Sequence, residues 1–185
     1  NNTTHGPDLL SEIPSVDWLD LERNRDKFFK DLRYALEECG FLILTNAPGF
    51  EDEFQQRAFT EVRKFFDSPM DFKQASSIAN SPYVRGYSSP RPPDSGRAQV
   101  IESFQYGFAE APLCAHDDES QPIHERFFRG PNTWPDSERL PGFKPTLNEL
   151  NSAYHRLTLQ LGELIVESLG EDPAEFRQYF NLDEP

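Results

Sequence analysis

Arg85-Gly86-Tyr87-Ser88, Glu102-Ser103-Phe104-Gln105-Tyr106-Gly107, Gly130-Pro131-Asn132-Thr133-Trp134-Pro135 and Leu140-Pro141-Gly142-Phe143 follow one another within a single stretch, Arg85 to Phe143. None of these four marks is catalytic by its own chemistry. No nucleophile stands beside a base, and no set of metal ligands is complete. What they supply is turns and aromatic anchors in order. Residues 109–141 read as a long connection studded with Pro, Asp and Gly. A loop of that length inside a compact domain is functional or packed by its own aromatics. Phe127, Phe128 and Trp134 are available for that packing.

On the N-terminal side, Ile13-Pro14-Ser15-Val16-Asp17-Trp18 alternates apolar and polar, which predicts a short strand with Pro14 at an edge. Leu21, Phe28, Leu32, Ala35, Leu36 and Cys39 recur at helical spacing and predict a helix that Gly40 ends. Phe41 to Asn46 is a continuous apolar run closed by a turn, read as a buried strand. Phe54, Ala58, Val62 and Phe65 form the stripe of a helix over 51–66, with Glu51, Asp52 and Glu53 at its N-terminal dipole. Ser68-Pro69 breaks it, and residues 70–79 add one or two helical turns.

Further along, Arg85 to Ser88 reads as extended, 89–98 as a loop and Val100 to Tyr106 as a strand. Leu147, Leu150, Tyr154, Leu157, Leu161, Leu164, Ile165 and Leu169 predict a long helix over 147–169, stopped by Gly170. Asp172-Pro173-Ala174-Glu175 opens a short helix that carries Phe176 and Phe180. The strands are few and do not alternate regularly with helices. The fold class is therefore mixed α+β, with helices covering a sheet that the chain only begins. Residues 1–12 are expected to be a flexible N-terminus and 13–185 one domain.

The 185 residues are enough for a core, and the net charge of −14 is spread along the chain. So acidic a chain has no general attraction to nucleic acid or anionic lipid. There is no apolar run of about 18 residues and no signal-peptide pattern. Nucleic acid and membrane are thus not expected as partners. Cys39 and Cys114 make no disulfide framework, which fits a reduced, cytoplasmic setting. Cys39 ends an apolar helical face and is expected buried, whereas Cys114 lies in a polar loop. Asn2-Thr3-Thr4 matches a glycosylation sequon, a motif short enough to recur by chance.

His116-Asp117-Asp118 contains the His-x-Asp pair that, with a distant His, forms the two-His, one-carboxylate face of non-haem Fe(II) centres. Against that stands its acidic loop, with no flanking strand to hold ligands rigidly. His124 falls in a loop, and His155 follows Tyr154 on the long helix, bordering the core. Arg85 and Tyr87 alternate along an extended segment and so share one face. An Arg beside a Tyr offers a carboxylate a planar fork of donors; the alternative is a surface Arg stacked on a ring. Glu102 and Gln105 point to opposite faces of their strand, and nothing in the sequence chooses which of them, if either, reaches a buried partner. Gly86, Gly96 and Gly107 are isolated, so no phosphate cradle is present.

The ordered marks resemble the N-terminal region of the Fe(II)/2-oxoglutarate-dependent oxygenases of the isopenicillin N synthase-like superfamily, with fungal thymine-hydroxylase-like members most similar. Ile13 to Asp17 resembles the family's opening strand, Gly40 to Asn46 its strand after the first helix, and Phe65-Phe66 before Ser68-Pro69 its helix end. The four marks from Arg85 to Phe143 follow in the family's order, so the likeness spans about residues 13–180. It implies N-terminal helices and first strands of a double-stranded β-helix (jelly roll), with the catalytic part of the jelly roll absent from this chain. It implies Fe(II) and 2-oxoglutarate as cofactors and a small organic molecule as substrate. The metal ligands are then expected C-terminal to this chain, which alone is expected to be inactive: no catalytic or metal residue is assigned here. Arg85 and Tyr87 are the expected substrate-binding residues. The rival expectation is a truncated, non-catalytic member that buries the exposed stripe of its long helix on a partner chain or a second copy. A third is a small metal protein using His116, Asp118 and His124.

Overall fold

The structure, a computed structural model, describes residues 13–90, 101–108 and 113–178. The expected flexible segment 1–12 with its sequon, most of the 89–98 loop, and the side chains of Phe176 and Phe180 lie outside the described residues. The described residues form two compact units, one of residues 13–54 and 155–178, the other of those within Gln55–Tyr154.

In the first unit, β1 (Ser15–Asp17) and β2 (Ile43–Thr45) pair in parallel, with Val16 opposite Leu44. A parallel pair needs a crossover, which α1 (Asp20–Arg23), α2 (Arg25–Tyr34) and a π-helical turn (Ala35–Cys39) provide. The helix predicted over 21–39 is thus broken. Asn24 leaves helical geometry at φ −158°, and its side chain accepts the Lys27 N–H at 3.2 Å, capping α2. At the other end the Gly40 N–H reaches back five residues to the Ala35 carbonyl, at 2.8 Å. That wider turn rotates the residues after Ala35 off the face that buries Leu32. Cys39 is consequently exposed, not buried as its spacing suggests.

Val16, Phe28, Leu32 and Ala35 form this unit's core, with Leu42, Leu44, Leu161, Leu164 and Ile165 packed on it. The predicted buried strand is buried on one face only. Leu42 and Leu44 turn inward, while Phe41 and Ile43 are 72% and 52% exposed. A strand's side chains alternate, and the helices cover one side of this two-stranded sheet. Beyond the strands, Asp17 Oδ1 accepts from Asn46 Nδ2 at 2.8 Å and from the Leu19 N–H at 3.1 Å. Arg25 grips both carboxylate oxygens of Glu167 on α6 (Phe143–Ser168), at 2.8 and 2.7 Å. Gly170, at φ +82°, ends the helical chain as its sequence position implies, and α7 (Pro173–Arg177) starts where Asp172 Oδ1 accepts the Ala174 N–H.

The second unit contains most of α3 (Asp52–Phe66), then α4 (Met70–Ala75), a 3-10 turn at Ile78–Asn80, β3 (Gly86–Ser88), β4 (Ser103–Gln105) and α5 (Ile123–Phe128), with the first half of α6. The two strands are antiparallel, with Tyr87 opposite Phe104. Phe65, Phe72, Tyr87, Leu140, Phe143 and Leu147 make the core. The long connection holds α5, which its composition hides: six residues, entered from Pro122 with no side-chain cap, give too little periodicity to read. Trp134 packs that connection as expected, stacked on Phe104 at 5.7 Å. Tyr154 is 54% exposed rather than in the core, because Ala153 takes the inward position on α6. Among the described residues no helix is long and apolar enough to cross a membrane.

The Asp17 contacts make a pH prediction. The Asn46 amide, then the Leu19 N–H, hold its carboxyl below the usual aspartate range. A depressed folded-state pKa stabilises the fold above the unfolded value of about 3.9 and loses that contribution as pH falls through the folded value. Urea midpoints of the chain and of Asp17→Asn should differ by a constant amount from pH 7 to about 5 and converge below about 4. A difference that stays constant down to about pH 2.5 would count against this role.

Candidate functional site

Gly86 decides where the side chains of β3 go. It sits at φ +120°, and a methyl group there would lie 2.4 Å from the Ser76 carbonyl oxygen, so only glycine fits. The face alternation expected to unite Arg85 with Tyr87 does not carry through that residue. Tyr87 points into the core and is fully buried. Its hydroxyl donates to Met70 Sδ at 3.6 Å, and the Lys73 ammonium lies 5.6 Å from its ring centre. Burial pushes its pKa up, and the Lys73 charge partly opposes this.

Arg85 lies just outside the strand and turns to the Gly107 backbone. Its Nη1 donates to the Val84 carbonyl at 2.9 Å and its Nη2 to the Phe128 carbonyl. Its Nε is buried, with no acceptor among the described residues. The carboxylate contacts among the described residues pair other cations. Burial alone lowers the Arg85 pKa. A guanidinium desolvated against carbonyls rather than a carboxylate leaves a demand for negative charge.

The other marks converge on it. A methyl group at Gly107 would stand 2.7 Å from Arg85 Nη2 and 3.0 Å from Nε, so the peptide packs directly on the guanidinium. Asn132 holds that peptide at two points, Oδ1 accepting the Gly107 N–H at 2.8 Å and Nδ2 donating to the Gly107 carbonyl at 2.9 Å. Gly130 lies against the Tyr83 ring, and Phe143 stacks on Phe65 at 4.9 Å. Three of the four sequence marks thus build one cluster, and the fourth anchors the core behind it.

Lys73 is not legible in the sequence as a functional or structural charge. Its side chain is only 7% exposed, and Nζ donates to the Phe66 carbonyl at 2.9 Å and to both Glu102 oxygens at 3.1 and 2.8 Å. Of Glu102 and Gln105, Glu102 is the one with the buried partner. Nothing around Lys73 in the sequence distinguishes it from a solvated lysine, so only the glutamate gives a sign.

The metal candidates are engaged elsewhere. The His116 ring meets Tyr83 and Phe127 edge-on, at 6.0 and 5.0 Å. Asp118 Oδ1 accepts the N–H and the hydroxyl of Ser120, at 3.0 and 2.6 Å, which lowers its pKa. His124 stands beside Glu125 on α5. Among the described residues no three His, Cys, Asp or Glu side chains group as metal ligands. The donor set of a two-His, one-carboxylate iron face is therefore not supplied by them.

The family model described as non-haem dioxygenase in morphine synthesis N-terminal matches residues 13–137. The chain belongs to this family. A 2-oxoglutarate-dependent dioxygenase, frbJ, of Dothideomycetidae sp. is 26% identical over 93% of this chain and 45% of its own length. Another, citB of Monascus ruber, is 30% identical over 83% of this chain and 45% of its own. The chain thus spans about half the length of the curated relatives it matches. Among solved structures, a full-length Neurospora crassa protein in complex with alpha-KG and 5-formyluracil superposes with a TM-score of 0.63 at 26% identity, over 87% of this chain and 46% of that one. JOX2 in complex with 2OG, Fe and JA shares the fold at a TM-score of 0.66 and 22% identity, over all of this chain and 51% of its own. The mixed α and β architecture is that of Fe(II)/2-oxoglutarate oxygenases.

The Lys73–Glu102 pair yields a test of what holds β4. Removing one member of a fully buried pair costs about 3–5 kcal/mol, because the other charge is left behind. Glu102→Gln strands the more buried Lys73 and should cost about 3 kcal/mol, at the low end of that range because Phe66 still accepts from Nζ. Lys73→Met leaves Glu102, whose side chain is 27% exposed, and should cost less. Lys73→Met with Glu102→Leu should recover part of either loss in urea unfolding. Costs that simply add would show the pair to be uncoupled.

Proposed function

We propose that this chain is the N-terminal part of a non-haem Fe(II)- and 2-oxoglutarate-dependent oxygenase. Such an enzyme oxidises a small organic substrate while converting 2-oxoglutarate to succinate and carbon dioxide. The observation that carries the reading is the family match over residues 13–137, and the 2-oxoglutarate-dependent relatives agree with it. The iron ligands lie on a segment C-terminal to this one, so no chemical step is routed through residues of this chain.

What this chain contributes is binding. Arg85 stands near the substrate mouth, where its guanidinium meets a carboxylate or similar anionic group of the ligand. Its partial burial, and the absence of a carboxylate partner for it among the described residues, support that role. Tyr87 serves the same place from inside the core, fixing β3 so that Arg85 stays against Gly107.

Anaerobic titration of the purified chain with Fe(II), with and without 2-oxoglutarate, tests the placement of the metal. The expected result is no stoichiometric, 2-oxoglutarate-linked binding, with the His116→Ala variant indistinguishable from the parent. One equivalent of iron bound in the presence of 2-oxoglutarate would place the ligands in this chain and overturn the proposal.

A further inference from the structure

We infer that Asn132 is a positioning residue for Arg85: by clamping the Gly107 peptide against the guanidinium, it sets the pose in which Arg85 receives an anionic ligand group. The inference rests on the role proposed above for Arg85 and adds the device that makes that role selective.

Gly107 needs a clamp. The ladder between β3 and β4 ends at the pair Gly86 and Gln105. Two residues later the sheet no longer holds the chain, yet Gly107 must lie so close that even a methyl group would collide with Nη2, Nε and Cζ of Arg85, at 2.7, 3.0 and 3.1 Å. Asn132 replaces the missing strand. Its carboxamide has one acceptor and one donor in the geometry of a peptide group, and both are used on Gly107, at 2.8 and 2.9 Å. An aspartate there keeps the acceptor and loses the donor; an alanine loses both.

The consequence falls on the guanidinium. Arg offers five N–H groups. The Val84 and Phe128 carbonyls take one from each Nη, and Gly107 walls the Nε side. Phe128 is itself tied in place: the neighbouring Phe127 carbonyl accepts the Val84 N–H at 3.0 Å. Arg85 is thereby held on three sides by backbone, with one N–H left on each Nη. A long arginine side chain loses rotamer entropy when it is fixed. Freezing it before the ligand arrives removes that cost from binding, which is what preorganisation means here.

The test is a carboxylate titration of the whole chain, followed through the Arg85 Nε–Hε signal by NMR. Propionate is the probe; propionamide and sodium chloride at matched ionic strength are the controls. In the parent chain, propionate should shift the signal saturably and the controls should not. In Asn132→Ala the propionate affinity should fall about tenfold, the worth of roughly one well-placed hydrogen bond, and Hε should exchange faster with water. Amide signals away from residues 104–108 and 130–134 should stay in place. Should Asn132→Ala fail to fold, Asn132→Asp replaces it, with a smaller loss expected. Unchanged affinity in a folded Asn132 variant would overturn the inference while leaving the role of Arg85 intact. Propionate binding that survives in Arg85→Gln, followed there through the amide signals of residues 104–108 and 130–134, would instead remove the role of Arg85, and this inference with it.

Discussion

The ring of Phe65 is the contact on which the second unit depends. It is fully buried, stacks on Phe143 at 4.9 Å, and takes Tyr87, Phe104 and Phe66 on its edges at 5.8, 5.1 and 5.2 Å. The first three of these neighbours come from α6, β3 and β4, so one side chain of α3 sets the spacing of three elements. Edge-to-face and offset pairs of this kind add about 0.5–1.5 kcal/mol each beyond the area they bury. The strands involved are three residues long, and a two-stranded ribbon of that length has no independent stability. What holds it is therefore the aromatic cluster behind it, together with the buried Lys73–Glu102 pair at the start of β4.

That dependence explains why a desolvated arginine is tolerable. Leaving even a partly buried cation without a carboxylate costs some free energy, and the cost must be met by the scaffold that imposes it. Here the scaffold is backbone: the carbonyls of Val84 and Phe128 accept from Arg85 and Gly107 packs on it. Tyr106, the neighbour of Gly107, packs on Trp134 at 5.5 Å, and Trp134 on Phe104. A chain with a net charge of −14 has carboxylates to spare, yet the described ion pairs join them to other cations.

The sequence discloses the long elements and hides the short ones, for physical reasons. Fifteen residues of α3 and twenty-six of α6 repeat their apolar positions often enough to fix a period. A three-residue strand cannot, and alternation carried through Gly86 misplaces the face of Arg85, because the positive φ of that glycine interrupts it. Cys39 is misplaced in the same way, since helical spacing does not foresee a π turn. In the candidate site, the marks are legible as marks: Asn132, Gly107 and Arg85 all lie in the segments that decide the fold. Their meeting is not, because it depends on a carboxamide standing in for a strand, and no periodicity announces that. Lys73 is hidden more deeply, since a buried lysine and a solvated one look alike in sequence.

The three glycines of the cluster show how closely the site is specified. Gly86 admits the Ser76 carbonyl and Gly130 the Tyr83 ring at distances that leave no room for a methyl group, and at Gly107 a methyl group would push the end of the Arg85 side chain aside. A glycine in an ordered segment costs conformational entropy, so Gly107 against the guanidinium and Gly130 against the ring are a standing cost. That cost has a reason if the backbone must pack directly on the guanidinium and its supports. Side chains there would hold Arg85 at a distance and let it relax toward solvent. Close backbone contact partly shields it and holds it still, and a shielded cation interacts with an anion more strongly than a fully solvated one.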